Sequence, residues 1–142
     1  NFSIAAIKER VKDLTPYIVV SLQEAERMNT LLSVIRTSLT ELKLGLSGAL
    51  NISDAMESLS AALFMGKVNG EWEKVAYFSK KMLGPWFADM LERVKQIAAW
   101  TEALDLLPSL WISGLFNPMS FLTAVSQVTA RANGLPLDDM TL

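Results

Sequence analysis

The sequence predicts a mainly α-helical fold with two long helices and several shorter ones. Apolar residues recur every three or four positions along two extended stretches, which is the period of a helix with one buried face. Ser, Thr or Asn stands where such stretches begin, and glycine stands where several of them end. With 51% hydrophobic residues in 142, the protein is able to bury the core of about one domain.

The first long helix is predicted to begin at Thr15-Pro16, because Thr caps a helix and proline loses no hydrogen bond at the first helical position. Gly45 and Gly48 are its stop signals. One face is predicted to be buried and another to face solvent. The buried face comprises Ile18, Leu22, Ala25, Met28, Leu32, Ile35, Leu39, Leu42 and Leu46, and the solvent face Arg27, Thr30, Ser33, Arg36, Thr37 and Glu41.

The second long helix is predicted to open at Ser79 and to end at Leu107-Pro108. Gly84-Pro85 marks either its proper start or a kink. Its apolar stripe comprises Leu83, Phe87, Met90, Val94, Ile97 and Leu104, widened by Trp86, Leu91, Ala98 and Trp100, with Glu92 and Lys95 or Gln96 on the solvent side.

Shorter helices are predicted over 3–13, 53–66 and 117–134, each beginning at a capping Ser or Asn. Residues 67–78 are predicted to form a loop with one helical turn. Trp72 and Tyr77 are expected to anchor this loop, since large aromatic side chains contribute most buried area.

No charged residue lies between Asp105 and Arg131, a stretch long enough to cross a bilayer. Prolines and polar residues interrupt it, and such breaks leave backbone groups unsatisfied in lipid. A buried core hinge is therefore the better interpretation, with Leu110–Ile112 as a strand or an extended core segment. Trp111 and Phe116 are the expected buried anchors, so Trp111→Asp is expected to destabilise the fold by several kcal/mol, roughly the cost of an unpaired buried charge.

Composition excludes several classes of protein. A net charge of −2 gives no basic face for nucleic acid. The sequence has no cysteine and no histidine, which removes disulfides, the usual zinc ligands and Ser-His-Asp catalysis. The sequence shows neither the pattern of a signal peptide nor a continuous apolar span, so neither secretion nor membrane insertion is signalled. Asn1 stands in mid-pattern, so the sequence is expected to be part of a longer protein.

Known catalytic motifs are matched poorly. Gly66-Lys67 lacks the upstream glycine and the following Ser or Thr of a phosphate-binding loop. The stretch 45–48 is one residue short of a nucleophile elbow and has no histidine base. Three carboxylate sets remain, and a structural role is the preferred interpretation of each: Glu24 with Glu26, Asp89 with Glu92, and Asp138 with Asp139.

Glu24 lies three residues before Arg27, a spacing that suits a solvated ion pair on a helix. Asp89 and Glu92 suit the N-terminal half of their helix. The four tryptophans, Trp72, Trp86, Trp100 and Trp111, are interpreted as core residues rather than a ligand box. The two apolar seams predict packing between helices, so interaction is favoured over chemistry.

The stretches 110–118, 120–123 and 127–131 resemble the W-L-S-G-F-F-N-P-x-x-F-L-T…Q-x-x-A-R pattern of the C-terminal region of dynein heavy chains. Residues 20–29, VSLQEAERMN, look like the long helix of that family, most like axonemal outer-arm, beta-type heavy chains. Asn69, Phe78 and Leu115 depart from the family pattern at packing and turn positions. The matching signature comprises Trp111, Gly114, Phe116, Asn117, Pro118, Phe121, Gln127 and Arg131.

The resemblance implies the helical half of one dynein C-terminal domain, truncated at its C-terminus. Residues 1–14 would lead from the last AAA+ module, 15–106 would hold the long helices, and 107–142 would hold the core hinge, a helix and the first strand of the β portion, with Leu137–Leu142 as that strand. No catalytic, cofactor-binding or metal-binding residue is expected in this segment, and ATP and Mg would bind in the parent AAA+ ring.

The implied role is a non-catalytic structural and regulatory segment that braces the ring of an ATP-driven, minus-end-directed microtubule motor of cilia or flagella. The implied partners are the AAA+ ring of the same heavy chain and, through the parent, microtubules and dynein intermediate and light chains. Nucleic acid and membrane are not expected as partners. The expected location is the axoneme in the cytoplasm. The alternative is a free-standing helical adaptor that binds partner helices through its apolar seams.

Overall fold

The computed structural model describes residues 1–12, 14–104 and 109–133. Within these ranges the protein is helical and contains no strand, which confirms the predicted mainly α-helical fold. One short 3₁₀ helix, Ile112–Gly114, precedes the last helix. The α-helices are α1 (Ile4–Arg10), α2 (Pro16–Leu46), α3 (Asp54–Phe64), α4 (Gly70–Glu73), α5 (Leu83–Ala103) and α6 (Pro118–Asn133).

The protein divides into two compact units. The first unit comprises Asn1 with Arg27–Glu92, and the second comprises Phe2–Glu26 with Arg93–Leu142. Because the divisions fall after Glu26 and after Glu92, α2 and α5 each contribute residues to both units.

Four of the helices begin at capping residues that were predicted from the sequence. The hydroxyls of Ser3, Thr15 and Ser53 accept hydrogen bonds from the backbone N–H three residues on, and the amide oxygen of Asn117 does the same for Ser120. Each cap satisfies one of the N–H groups that a first helical turn leaves without a partner. These starts were predictable because a cap is a local interaction.

Three predicted helix boundaries were wrong. α5 ends at Ala103 rather than at Leu107-Pro108. α1 ends at Arg10 rather than near residue 13, because Val11 takes an extended conformation. α5 begins at Leu83 rather than at Ser79. The Ser79 hydroxyl accepts from the N–H of Lys81, only two residues on, which is the bond of a turn rather than of a helix cap.

The first long helix matches its predicted length and solvent face. α2 has 31 residues and ends at Leu46, and all six residues predicted to face solvent are exposed. The apolar seam is buried from Ile18 to Ile35 except at Leu32, which is half-buried, whereas Leu39 and Leu46 are exposed. The seam prediction was therefore wrong at these two leucines.

Stacked aromatic side chains form the core of the first unit. The ring centroid of Trp86 lies 6.0 Å from that of Trp72 and 5.4 Å from that of Tyr77. The Tyr77 hydroxyl donates to the backbone oxygen of Trp86 at 2.7 Å, and Trp72 Nε1 donates to Ser38 Oγ at 2.9 Å. The four-residue helix α4 carries Trp72, so the predicted loop with one helical turn and its two anchors are confirmed.

Two apolar clusters lie among the described residues of the second unit. One surrounds Trp100 and Phe121, whose rings meet edge to face with centroids 5.9 Å apart. The other joins Ile7 of α1 to Ile18 and Leu22 of α2. The predicted widening of the α5 stripe holds for Trp86 and Trp100, which are buried, but not for Leu91 and Ala98, which are exposed.

Several predictions fall outside the described residues. They are the closing Gly134, the Asp138-Asp139 pair and the strand over Leu137–Leu142.

Candidate functional site

The loop over residues 110–117 is held by side chains that bond to its backbone. Gln96 Oε1 accepts from the N–H of Trp111 at 2.8 Å, and Gln96 Nε2 donates to the carbonyl of the same residue at 3.1 Å. Arg93 Nη1 donates to the carbonyl of Gly114 at 2.8 Å. A loop has few internal partners for its backbone groups, so these bonds fix its conformation.

Glu24 of α2 holds the far end of the same loop. Its two carboxylate oxygens accept from the N–H of Phe116 at 2.7 Å and from the N–H of Asn117 at 3.0 Å. Only 2% of Glu24 is exposed. A buried carboxylate is tolerated when it accepts strong hydrogen bonds, so Glu24 and the loop backbone stabilise each other.

Trp111 and Gly114 make a close contact within the loop. A Cβ placed on Gly114 would come within 3 Å of three carbon atoms of the Trp111 ring, so only glycine fits there without a shift. The guanidinium carbon of Arg93 lies 4.9 Å from the centroid of the Trp111 ring, a cation–π distance.

Trp111 is not the buried anchor that the sequence suggested. The residue is 39% exposed, and Phe116 is half-buried. Leu115 and Phe121, at 3% and 5% exposure, are the buried apolar residues on either side of Asn117-Pro118. The destabilisation of several kcal/mol expected for Trp111→Asp assumed a buried side chain, and that reason was wrong. An Asp at this position would reach solvent and face Arg93.

Leu110–Ile112 does not form the strand that was one of its two predicted states. Leu110 and Trp111 precede the 3₁₀ helix at Ile112–Gly114, and Ile112 is 39% exposed. The backbone forms a 3₁₀ turn here because the N–H groups of Gly114 and Leu115 donate to carbonyls three residues back.

The remaining signature residues lie on α6 and its start. Pro118 opens the helix after the Asn117 cap, and Phe121 enters the core. Asn117, Gln127 and Arg131 line one open groove of about 470 Å³ with residues of α2. The signature therefore separates into a loop, a helix start and a groove wall.

The three residues that hold the loop, Glu24, Arg93 and Gln96, were not predicted from the sequence to do so. Glu24 was interpreted as half of a solvated ion pair, yet it is buried, and Gln96 was placed on the solvent side. One signal was available for Glu24: it precedes Met28 by four residues and Leu31 by seven, which places a carboxylate on the buried face of α2. No signal in the sequence pairs it with residues 116–117.

Further features of the described ranges concern chemistry and membranes. Among these residues no group of three or more acidic side chains is placed to hold a metal ion. Asp89 forms an ion pair with Lys81 at 2.8 Å, and Ser47 of the 45–48 stretch donates its hydroxyl to the carbonyl of Leu44. None of the described helices combines the length and apolar character needed to span a bilayer.

The fold and the loop together define a mainly helical segment, and its similarity to known proteins gives its family. The family model of the C-terminal domain of the dynein heavy chain matches residues 1–142. The protein belongs to this family.

Its relatives include ciliary, flagellar and axonemal dynein chains. The segment is 50% identical over 142 residues to the ciliary dynein beta chain of Heliocidaris crassispina and 46% identical over 142 residues to dynein axonemal heavy chain 9 of Homo sapiens, with 100% of its own length covered in each case. It is 49% identical over 123 residues, 87% of its length, to the flagellar outer arm dynein beta chain of Chlamydomonas reinhardtii. The segment spans about 3% of the length of these relatives.

Proposed function

We propose that this segment is a non-catalytic structural and regulatory part of an axonemal dynein heavy chain, where it braces the AAA+ ring of a minus-end-directed microtubule motor that powers ciliary or flagellar beating. The observation that carries this proposal is the match of the whole sequence to the dynein C-terminal family, with 46–50% identity to axonemal and ciliary relatives. In this proposal the segment lies in an axoneme, and the partners of its parent are microtubules and dynein intermediate and light chains.

The rigid elements of the second unit support a bracing role. The loop over 110–117 is tied by its backbone to Glu24, Arg93 and Gln96, so α2, α5 and the start of α6 hold one another at that loop. A brace needs such over-determined contacts, because a loosely held loop cannot transmit force between the elements it joins.

ATP and Mg²⁺ belong to the parent ring in this proposal. A phosphate is normally held at the N-terminus of a helix, whereas Gly66-Lys67 follows the C-terminal end of α3, and the Gly66 carbonyl accepts from the N–H of Leu83. Gly66-Lys67 therefore does not fit a phosphate-binding loop.

The test is made in the parent heavy chain. We expect deletion of this segment, and to a smaller degree Glu24→Ala, to change microtubule-stimulated ATPase and gliding velocity. The matched control is Glu41→Ala on the exposed face of the same helix. Unchanged ATPase and gliding after deletion would contradict bracing and favour the helical adaptor, whose partner would then be sought by its binding to the apolar seams.

A further inference from the structure

An apolar groove runs between the C-terminal part of α2 and α3 in the first unit. It has a volume of about 450 Å³. Its lining is apolar apart from Glu57 and Ser60, and its main side chains are Leu42, Leu46, Ile52, Met56 and Phe64. The groove was not predicted from the sequence, because Leu46 was expected inside the seam.

The apolar side chains at the rim of this groove are unusually exposed. Phe64 is 93% exposed, Leu46 is 68% exposed and Ile52 is 47% exposed. Single exposed apolar residues are ordinary, but several that border one apolar groove mark a surface that another segment of polypeptide covers.

The floor of the groove is built from fixed contacts. A Cβ on Gly45 would lie 2.9 Å from Met56 Sδ, so the absence of a side chain lets α3 approach α2 closely. Gly48, at φ +85°, lies in the turn that follows α2, and Ser53 caps α3. The groove is therefore preformed, which lowers the entropy cost of filling it.

The acidic residues at this groove indicate what kind of polypeptide segment would fill it. Asp54 and Glu57 are the charged residues of α3, and the helix carries no basic residue. Glu57 is also the charged residue in the lining of the groove. A helix that presents an apolar stripe with a Lys or Arg beside it matches both features.

We propose that this groove receives an amphipathic helix with a basic residue beside its apolar stripe, supplied by another part of the same heavy chain. This inference rests on the proposed function and names the surface through which the segment docks. The segment spans about 3% of its relatives' length. In the proposed parent heavy chain, most of the polypeptide is therefore covalently linked to the segment that carries this groove. Tethering gives an effective concentration of about millimolar, which favours an occupant from the same polypeptide over a free partner.

The test uses the full heavy chain with a photo-reactive phenylalanine analogue, benzoylphenylalanine, in place of Phe64. We expect a cross-link to a helical peptide of the same polypeptide that contains Lys or Arg. The matched control places the analogue at Phe78, which is 87% exposed and does not line the groove.

A second substitution tests the groove itself. Leu46→Asp changes an exposed side chain, so the fold should persist, and the cross-link from position 64 should fall about tenfold, as expected for losing one buried leucine. Glu57→Lys should also lower it by placing like charges together. Neither change should alter the yield from position 78.

The outcomes separate this inference from the bracing role. Cross-links from position 64 to a different polypeptide, or a yield that Leu46→Asp leaves unchanged, would overturn the groove proposal. If deletion of the segment still alters ATPase and gliding in that case, the bracing role stands and the docking surface lies elsewhere. If the cross-link appears as expected but deletion has no effect, the bracing role fails and the groove remains an intramolecular contact.

Discussion

The carboxylate of Glu24 accepts a hydrogen bond from the backbone N–H of Asn117, 93 residues further along the sequence. Its other oxygen accepts from Phe116. Asn117 in turn caps α6 through its side chain, so one carboxylate from α2 determines where the loop over 110–117 ends and where α6 begins.

Replacing Glu24 by Gln should loosen this junction. Gln keeps one acceptor but turns an NH₂ group toward one of the two N–H groups, which would then lack a bond at a cost of about 1–3 kcal/mol. Amide hydrogen exchange of the peptide containing Phe116 and Asn117, measured in the parent protein, should quicken about 5- to 150-fold. Exposed Glu41→Gln is the control, and equal exchange in both variants would contradict the assigned role of Glu24.

Gly114→Ala should displace the Trp111 ring, because the added methyl group would overlap it. We expect a destabilisation of about 1–3 kcal/mol, typical of overpacking. When Trp111→Ala is combined with Gly114→Ala, most of that loss of stability should be recovered, as measured by urea denaturation in a double-mutant cycle. Gly70→Ala at the start of α4, where a Cβ meets no atom within 4 Å, should instead stabilise by up to about 1 kcal/mol. Additive effects in the cycle would refute the contact.

Ser38→Ala removes the acceptor of the Trp72 indole N–H. Trp72 is fully buried and Ser38 is half-buried, so the indole N–H would lose a largely desolvated bond, and the expected cost is about 1–3 kcal/mol in the free energy of unfolding. Ser33→Ala is the matched control on the exposed face of the same helix. Comparing the two variants removes the effect of the change in helix propensity, because both replace Ser by Ala. Identical denaturation midpoints for the two variants would show that the bond does not contribute.

Asn117→Ala should shorten α6 from its start. Loss of a cap costs about 0.5–2 kcal/mol, and Asn117→Ser should retain most of the stability because serine also caps. Asn117→Asp is expected to be worse than Ser, since a second carboxylate would lie beside Glu24. Circular dichroism during thermal unfolding checks this order, and an Asp variant as stable as Asn would contradict the proximity of the two carboxylates.

Local signals in the sequence predicted most helix starts. Ser3, Thr15, Ser53 and Asn117 act as caps in the structure, because a cap needs only three neighbouring residues. Ser79 looks the same in sequence but closes a turn, and α5 begins at Leu83, whose N–H donates to Gly66. Position 66 is distant in sequence, so local pattern could not reveal that choice.

The signature of the family was recognisable from the sequence, whereas the way the structure holds it was not. Residues 110–131 carried the resemblance to the family, and the structure places Phe121 of that signature in a buried apolar cluster. The assumption that lack of charge means burial failed at Trp111 and Ile112, both 39% exposed. Lack of charge also describes a docking surface, and hydropathy alone does not separate an apolar residue that its own fold buries from one left open.

By itself, the sequence determined the helical class, the long helix α2 with its solvent face, the caps and the family. Only the tertiary structure decided that Glu24, Arg93 and Gln96 hold the loop, and that Leu46, Ile52 and Phe64 border an open groove. Helix periods and caps arise from neighbours within four residues, and one sequence therefore suffices to predict them. The partners of a buried carboxylate, and the part of an apolar seam that stays uncovered, depend on which distant segments meet in the folded protein.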